Sequence, residues 1–404
     1  MKRLKNIFLV VALLALMAFA FAFASSAETG APSVANFTVA KQSPTSLTLQ
    51  WETGEEPVSG FKLYKYQKAN KKTTLIATLK KEEMSFKVGS LLSGTDYCFK
   101  LKAYIRSGGE TVYSETAVLE TYTTLPKVTG LALKSNSDVS QELTWNTVKG
   151  VGSYSIYYFN KTTGKYVLMG SKPTNEAVIK CSPATLYKYR VKATAVVEGG
   201  KTKISGKLSD PLEAVSRASL VSSVSVSEKT SSSITLEWEA AKKAEGYKIY
   251  QYDSAKKKYV AAKTVRGETS AVIDNLKSAK QYKFKIRSFT KVEGTNVFSE
   301  PSSVIAVITK PETPVLSQNS DAVLNGRISL SWTKSPRAKG YLIYISDHKN
   351  SGFTLYKEVD GSTDSTVVSG VKNGAKQYVK IKAYVEIEGA KVYGDYSKII
   401  TVYA

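Results

Sequence analysis

The sequence predicts an all-β protein, a tandem array of four seven-stranded β-sandwiches that follows an N-terminal signal peptide. Three observations predict this fold. A tryptophan recurs at intervals of 94, 93 and 94 residues (Trp51, Trp145, Trp238 and Trp332), a spacing typical of an independent small domain. Apolar and polar residues alternate around each tryptophan, as in a half-buried strand. Turn residues recur about every 8 to 12 residues, which is typical of a β-sandwich.

Residues 1–27 are predicted to be a secretory signal peptide. Three basic residues precede an uncharged apolar run from Ile7 to Ala24, and cleavage is expected after Ala24 or Ala27. A run of this length could instead be kept as a membrane anchor, since roughly 18 apolar residues suffice to span a bilayer. With cleavage we expect an extracellular protein without a transmembrane segment, either secreted or non-covalently associated with the cell wall.

Four domains are predicted, at residues 28–124, 125–216, 217–309 and 310–404. In the third we expect seven strands, which are A (221–227), B (233–239), C (246–252), C′ (258–264), E (270–274), F (282–290) and G (304–308). The two cysteines lie in different repeats, so each domain depends on a packed core rather than on disulfides. A lysine-rich, nearly cysteine-free exported chain is typical of bacterial extracellular proteins.

One motif recurs before predicted strand F. It is LLSGTDY from Leu91 to Tyr97, CSPATLY from Cys181 to Tyr187, and LKSAKQY from Leu276 to Tyr282. Together with the tryptophan on strand B, this motif resembles the Leu-x-Pro-x-Thr-x-Tyr segment of the fibronectin type III family, an immunoglobulin-like β-sandwich. The resemblance extends over essentially all of the chain after the signal peptide.

The resemblance implies that Tyr97, Tyr187 and Tyr282 are tyrosine corners, whose hydroxyls bond the backbone just before strand F. The fourth repeat differs, because its strand F pattern places Gln377 rather than Tyr378 at the corner position. Either a one-residue bulge restores the phase of Tyr378, or this corner is absent.

Residues for catalysis are sparse. His348 is the only histidine and lies in a polar turn, so a catalytic triad or zinc site would lack its other members. We therefore expect no enzyme, no metal and no cofactor; the alternative is a hydrolase with paired carboxylates. Cys181 is expected to be a small buried residue, and Cys98 is expected to face outward from strand F.

The candidate binding site is a face of each domain. Basic residues alternate with inward residues on strand F, and tyrosines occupy the corresponding positions of strand C, so that C–F pairing would bring the two rows together on the outer surface. We call this set the Tyr/Lys face: Tyr64, Tyr66, Lys100 and Lys102; Tyr157, Lys188, Arg190 and Lys192; Tyr250, Tyr252, Lys283, Lys285 and Arg287; and Tyr344, Lys380 and Lys382.

The charge of the chain indicates the class of partner. Without residues 1–27, 54 basic and 34 acidic residues leave a net charge of +20, which favours anionic partners. Export argues against nucleic acid, so we expect a monomer that binds an anionic cell-wall polymer or polysaccharide weakly and multivalently. The alternative is a passive spacer or adhesion module whose partner is a surface protein. In that case the Tyr–Lys pairs would only stabilise the sheet.

Overall fold

The computed structural model describes residues 31–197, 199–319 and 326–403, and the predicted signal peptide lies outside these residues. The described regular elements are strands, apart from one turn of 3-10 helix at Lys68–Asn70. This confirms the all-β class. None of the described helical residues forms a segment long and apolar enough to cross a membrane.

Each repeat contains eight strands rather than the predicted seven. The first has β1 (Val34–Gln42), β2 (Leu47–Thr53), β3 (Gly60–Gln67), β4 (Lys72–Lys80), β5 (Ser85–Val88), β6 (Asp96–Ser107), β7 (Glu110–Tyr113) and β8 (Ala117–Tyr122). The second has β9 (Ala132–Asn136), β10 (Ser140–Thr144), β11 (Ser153–Asn160), β12 (Lys165–Lys172), β13 (Glu176–Lys180), β14 (Leu186–Val197), β15 (Thr202–Ser205) and β16 (Leu212–Val215).

The third and fourth repeats follow the same order. The third has β17 (Ser225–Lys229), β18 (Ile234–Glu237), β19 (Gly246–Asp253), β20 (Lys258–Arg266), β21 (Ser270–Ile273), β22 (Gln281–Val292), β23 (Thr295–Phe298) and β24 (Ile305–Ile308). The fourth has β25 (Leu316–Gln318), β26 (Ile328–Trp332), β27 (Gly340–Ser346), β28 (Thr354–Asp360), β29 (Ser365–Val368), β30 (Lys376–Ile387), β31 (Ala390–Tyr393) and β32 (Ile400–Tyr403).

The chain divides into two compact units. The first comprises the described residues up to Ala132 together with Leu143–Ala177 and Lys188–Leu212. The second comprises Leu133–Glu142, Val178–Tyr187 and the described residues from Glu213 onward. The second repeat thus contributes to both units, and the domain boundaries inferred from the sequence stay predictions.

Each repeat forms a three-stranded and a five-stranded sheet, all antiparallel where the register is described. The three-stranded sheets have the orders β1-β2-β5, β9-β10-β13, β17-β18-β21 and β25-β26-β29. The other sheets run β4-β3-β6-β7, β12-β11-β14-β15, β20-β19-β22-β23 and β28-β27-β30-β31, and each takes the repeat's last strand as its fifth member. Strands predicted as A, B and E therefore form one layer, and C′, C, F and G form the other.

The additional strand of the third repeat, β23, lies between the predicted strands F (282–290) and G (304–308), and predicted strand G corresponds to β24. In the third repeat, β23 follows the F–G hairpin and β24 begins only at Ile305, after the segment Ser299-Glu-Pro-Ser302. The hydroxyl of Ser299 accepts from the Ser288 amide at 3.0 Å, and that of Ser302 accepts from the Ile286 amide at 2.9 Å. Side chains thus replace ladder acceptors beside a proline that has no amide to donate.

The repeated tryptophans lie in the cores. Trp51, Trp145, Trp238 and Trp332 are only 2–5% exposed. In the third repeat, Trp238 packs with Leu236, Ile249, Phe284 and Ile286 between the two sheets. Strand alternation therefore correctly predicted which residues are buried.

Three of the four corner positions carry a tyrosine that caps the preceding turn. The hydroxyls of Tyr97, Tyr187 and Tyr282 accept from backbone amides five residues upstream at 2.7–2.8 Å. In the fourth repeat the register between β27 and β30 runs from Gly340–Tyr384 to Ser346–Tyr378 without a shift. No bulge brings Tyr378 into the corner, so Gln377 occupies that position and the tyrosine corner is absent.

Candidate ligand-binding face

The Tyr/Lys face lies on two neighbouring strands of each five-stranded sheet. Strands C and F pair antiparallel in every repeat, as predicted, and in each of them one basic residue lies directly opposite a tyrosine. The four pairs are Tyr64–Lys100, Tyr157–Arg190, Tyr250–Lys285 and Tyr344–Lys380. Directly opposed residues have Cβ atoms only about 4.5–5.5 Å apart, so the two rows lie side by side. Each of the four cations lies over a neighbouring ring rather than over the tyrosine opposite to it.

The opposite phase of strand F points into the core. On β6, Phe99 and Leu101 are fully buried, whereas Lys100 and Lys102 between them are half-buried at the outer surface. The tyrosines of β3 are also half-buried. The same chain segment therefore supplies both the core and the face, because strand side chains alternate between the two sides of a sheet.

Basic side chains on this face lie over aromatic rings. The Nζ of Lys100 is 4.0 Å from the centroid of Tyr66, and the Nζ of Lys192 is 5.4 Å from that of Tyr157. Such contacts hold the cation beside the ring face while the aliphatic stem covers apolar surface. The face thus combines positive charge with aromatic surface.

Two tyrosines of strand C′ extend the face, and the sequence analysis missed them. Tyr166 contacts Phe159 and Tyr259 contacts Tyr252, each pair with ring centroids 5.3 Å apart and edge to face. The guanidinium of Arg190 lies 4.8 Å from the Tyr166 centroid, and Lys285 Nζ lies 4.7 Å from that of Tyr259. The repeated Lys-Tyr-Val at the start of β12 and β20 was a signal that could have identified them.

The fourth repeat holds the densest group of aromatic and basic side chains. Lys380 Nζ lies 4.2 Å from the Phe353 centroid and 4.0 Å from that of Tyr396. Lys382 Nζ lies 4.6 Å from the Tyr393 centroid and 4.7 Å from that of Tyr396. Phe353, Tyr393 and Tyr396 belong to loops and to β31, so the alternation of strands C and F alone could not predict them.

These contacts shift the acidity of two phenols in opposite directions. Burial raises the pKa of Tyr344, and its hydrogen bond with Tyr396 acts in the same direction. Burial also acts to raise the pKa of Tyr396, but its hydrogen bonds with Lys382 and Tyr344 outweigh burial, and the result is a lowered pKa. The lysines therefore favour negative charge at this point of the face.

Lys283 and Tyr252 are among the predicted residues that lie outside the opposed tyrosine–cation pairs. Lys283 is exposed and lies opposite Ala306 on the last strand of its repeat. Tyr252 is 37% exposed and contacts Tyr259 instead of a predicted basic residue.

The cysteines correct two expectations, because Cys98 is buried and Cys181, which was expected to be buried, is only half-buried. Cys98 was predicted to face solvent, but it is only 4% exposed. It lies opposite Tyr66 on one side and Glu120 on the other, and Lys68 forms a 2.7 Å ion pair with Glu120. This covered position raises the pKa of the Cys98 thiol by desolvation. Cys181 is half-buried, with Sγ 4.0 Å from the Ser137 carbonyl oxygen.

The described residues contain no cluster of three or more His, Cys, Asp or Glu side chains that could hold a metal ion. His348 is exposed in its turn, where its amide donates to Ser346 Oγ at 2.9 Å. The arrangement that recurs in all four repeats is the opposed pair of a tyrosine and a basic residue.

Comparison with known proteins finds two segments of this chain that match a protein-family model. The family model for the fibronectin type III domain matches residues 30–119 and 219–305. A rat protein named phosphatidylinositol phosphatase PTPRQ is 23% identical in an alignment of 334 residues that covers 77% of this chain. The matched region is 14% of the rat protein, so the chain spans only a small part of that relative.

Solved structures with tandem domains also resemble parts of the chain. Three domains, FN1–FN3, of chicken CNTN1 match at 20% identity with a TM-score of 0.26, covering 69% of this chain and 98% of that chain. A two-domain fibronectin type III segment of chicken tenascin matches at 17% identity with a TM-score of 0.35, covering 45% of this chain and 97% of that chain.

Proposed function

Because residues 30–119 and 219–305 are fibronectin type III domains, we propose that this chain is a non-catalytic binding and spacing protein of the cell surface or extracellular matrix. Fibronectin type III domains are generally binding or spacer modules. Its ligand would be an anionic glycan or cell-wall polymer held by the Tyr/Lys face. The observation that carries this proposal is the recurrence of an opposed tyrosine–cation pair in all four repeats.

The chemistry of the face suits a sugar polymer with acidic groups. Lysine and arginine side chains would bond carboxylate or phosphate oxygens. Tyrosine rings would pack against sugar rings, and their hydroxyls would bond sugar hydroxyls. To expose a ring face, a covering lysine such as Lys100 would swing toward the acidic group, exchanging a cation–π contact for an ion pair.

Four weak sites in one chain would together retain the protein on a polymer more strongly than a single site could. A polymer that occupies one repeat places its next acidic groups at high effective concentration near another repeat. Exposed charge pairs weaken as salt shortens the Debye length from about 10 Å at 0.1 M to about 3 Å at 1 M. Binding through this face would therefore be multivalent and sensitive to salt.

A retention assay tests the proposal. The chain is incubated with purified Gram-positive cell walls, with and without their teichoic acid, at low and high salt. We expect retention that needs the anionic polymer and decreases at high salt. Absence of retention on both walls at low salt would contradict the proposed ligand class.

A matched pair of variants locates the binding surface. The first replaces by glutamine the four cations that lie opposite tyrosines, Lys100, Arg190, Lys285 and Lys380. The control removes the same charge at exposed lysines off the face, Lys87, Lys180, Lys277 and Lys349. We expect the first variant to lose most retention and the control to keep most of it. Equal losses would show that net charge, and not the face, retains the protein.

The second candidate function is a spacer or protein-adhesion module without glycan binding. The covered rings favour it, because Lys100, Arg190 and Lys285 already contact tyrosines within their own repeat. Such pairs contribute about 0.2–1 kcal/mol each to the sheet and need no ligand to explain them. No retention on either wall, together with capture of one specific surface protein, would support this function instead.

A further inference from the structure

The fourth repeat keeps the turn of a tyrosine corner but not its tyrosine. In the third repeat, the turn before strand F has left-handed backbone at Asn275 (φ 57°) and Ala279 (φ 48°), and Tyr282 closes it. The corresponding positions in the fourth repeat are Gly370 (φ 76°) and Gly374 (φ 75°). The backbone path is therefore conserved while the ring that fills the corner in the third repeat is missing.

A cleft of about 550 Å³ lies at this incomplete corner. Val371, Ile345 and Tyr356 form an apolar wall, and Val368 is fully buried behind it. The polar lining comes from Asp347, Gln377, Lys372 and Lys376. This volume is within the range of about 300–1,000 Å³ that is common for small-molecule sites.

The polar groups of the cleft are arranged around one hydrogen bond. Gln377 Nε2 donates to Asp347 Oδ1 at 2.5 Å, which orients both side chains at the place where the corner tyrosine would begin. Lys372 and Lys376 are exposed at the rim, and Lys376 Nζ lies 5.4 Å from the centroid of the Tyr378 ring. The lining thus includes two basic side chains and a single carboxylate that is already hydrogen-bonded. The cleft consequently has an excess of positive charge.

We propose that this cleft binds one carboxylate-bearing sugar residue, of the hexuronate class. The proposal rests on the proposed function, and it names a unit of the glycan that the fourth repeat alone would select. Lys372 would bond the sugar carboxylate, and Lys376 would exchange its contact with the Tyr378 ring for a second bond to that group. Asp347 and the Gln377 carbonyl would accept from ring hydroxyls, and Val371 and Tyr356 would pack against the apolar face of the sugar.

Saturation-transfer NMR on the four-domain chain tests this site. The probes are glucuronate, glucose at the same concentration, and inorganic phosphate as a competitor. We expect transfer to glucuronate, much weaker transfer to glucose, and little displacement by equimolar phosphate. No transfer to glucuronate overturns the proposal; equal transfer to glucose excludes carboxylate recognition, and full displacement by phosphate reduces the site to a simple anion site.

Gln377→Tyr provides a test in which binding and folding change in opposite directions. By analogy with Tyr282, the new ring should fill the cleft and cap the turn, so we expect loss of glucuronate transfer with unchanged or higher thermal stability. If that variant does not fold, the double variant Lys372→Gln with Lys376→Gln tests whether the cleft binds glucuronate. We expect at least about tenfold weaker binding, the loss that corresponds to one charge-assisted hydrogen bond.

The matched control removes two lysines from the corresponding turn of the third repeat, Lys277→Gln and Lys280→Gln. Tyr282 closes that turn, so we expect unchanged glucuronate binding. Equal loss in the control would overturn the assignment to the fourth repeat. Wall retention separates this proposal from the previous one, since the glutamine variants of the Tyr/Lys face leave the cleft intact and Gln377→Tyr leaves that face intact.

Discussion

The third and fourth repeats hold the same turn with tyrosines from different strands. In the third, Tyr282 of β22 reaches back to the Lys277 amide at 2.7 Å and is 7% exposed. In the fourth, Tyr356 of β28 accepts from the Ser369 amide at 3.0 Å, a contact exposed to solvent. The hydrogen bond that holds the turn is therefore more exposed in the fourth repeat than in the third. This β-sandwich domain lacks the corner tyrosine, and a tyrosine of another strand partly replaces it.

The largest expected effect tests whether the difference is confined to the corner. Trp238→Ala and Trp332→Ala should each cost about 3–5 kcal/mol, because both remove a buried ring from a similar core. Native-state hydrogen exchange of the β22 and β30 amides in the full chain measures the local free energy of opening. A cost below about 1 kcal/mol in either repeat would mean that its tryptophan does not support the core.

The next largest effect compares the corner tyrosine of the third repeat with the tyrosine beside the corner position of the fourth. Tyr282→Phe leaves the Lys277 amide without its acceptor and should cost about 1–3 kcal/mol. Tyr378→Phe, outside the corner phase, should stay within about 0.5 kcal/mol. The same hydrogen-exchange measurement compares the two repeats, and equal losses would refute the alignment that places Gln377 at the corner.

A smaller loss of stability is expected when the hydrogen bond between the Ser369 amide and the Tyr356 hydroxyl is removed from the fourth repeat. Tyr356→Phe removes one partly solvated hydrogen bond to Ser369, and we expect about 0.5–1.5 kcal/mol. Exchange of the Ser369 amide should accelerate more than that of the β30 core amides. If the Ser369 amide exchanged at an unchanged rate, Tyr356 would not hold the turn.

The smallest effect appears only at high pH. A hydrogen bond to Glu358 and burial raise the pKa of Tyr384 to about 12, whereas Phe289 fills this place in the third repeat. The folded-state pKa lies above the unfolded value of about 10, so this contribution is complete below about pH 10 and is lost as pH rises toward 12. Thermal melts from pH 9 to 12 should show a steeper decline for the parent chain than for Tyr384→Phe, and parallel declines would exclude the contribution.

Local patterns predicted most of the fold. Alternation around Trp238 and the motif ending at Tyr282 located strands B, C, E and F of the third repeat. Strand A, expected at 221–227, lies instead at Ser225–Lys229, although Val221 still packs in the core. The eighth strand was missed because Thr295–Phe298 was left in the connection between predicted strands F and G. The serine side-chain hydrogen bonds that follow this strand are a tertiary effect that period-two counting does not contain.

The candidate site was only partly predictable. Pairing of strands C and F placed the basic row beside the tyrosine row, because outward side chains of neighbouring strands share one face. The individual pairs, such as Tyr250–Lys285, required the register that the structure shows. The sequence pattern assigned Cys98 to the outer face correctly but could not show that Lys68 and Glu120 cover it. Likewise, the role of Tyr356 depends on the distance between two sheets, which alternation along one strand does not determine.

The four core tryptophans have an optical consequence. Each indole Nε1 is buried and, among the described residues, has no hydrogen-bond partner, so every fluorophore lies in an apolar environment. Its emission should be at short wavelength when folded and shift to the red when its own repeat opens to water. Variants that keep one tryptophan and replace the others with phenylalanine would therefore report on the repeats individually, without any attached dye.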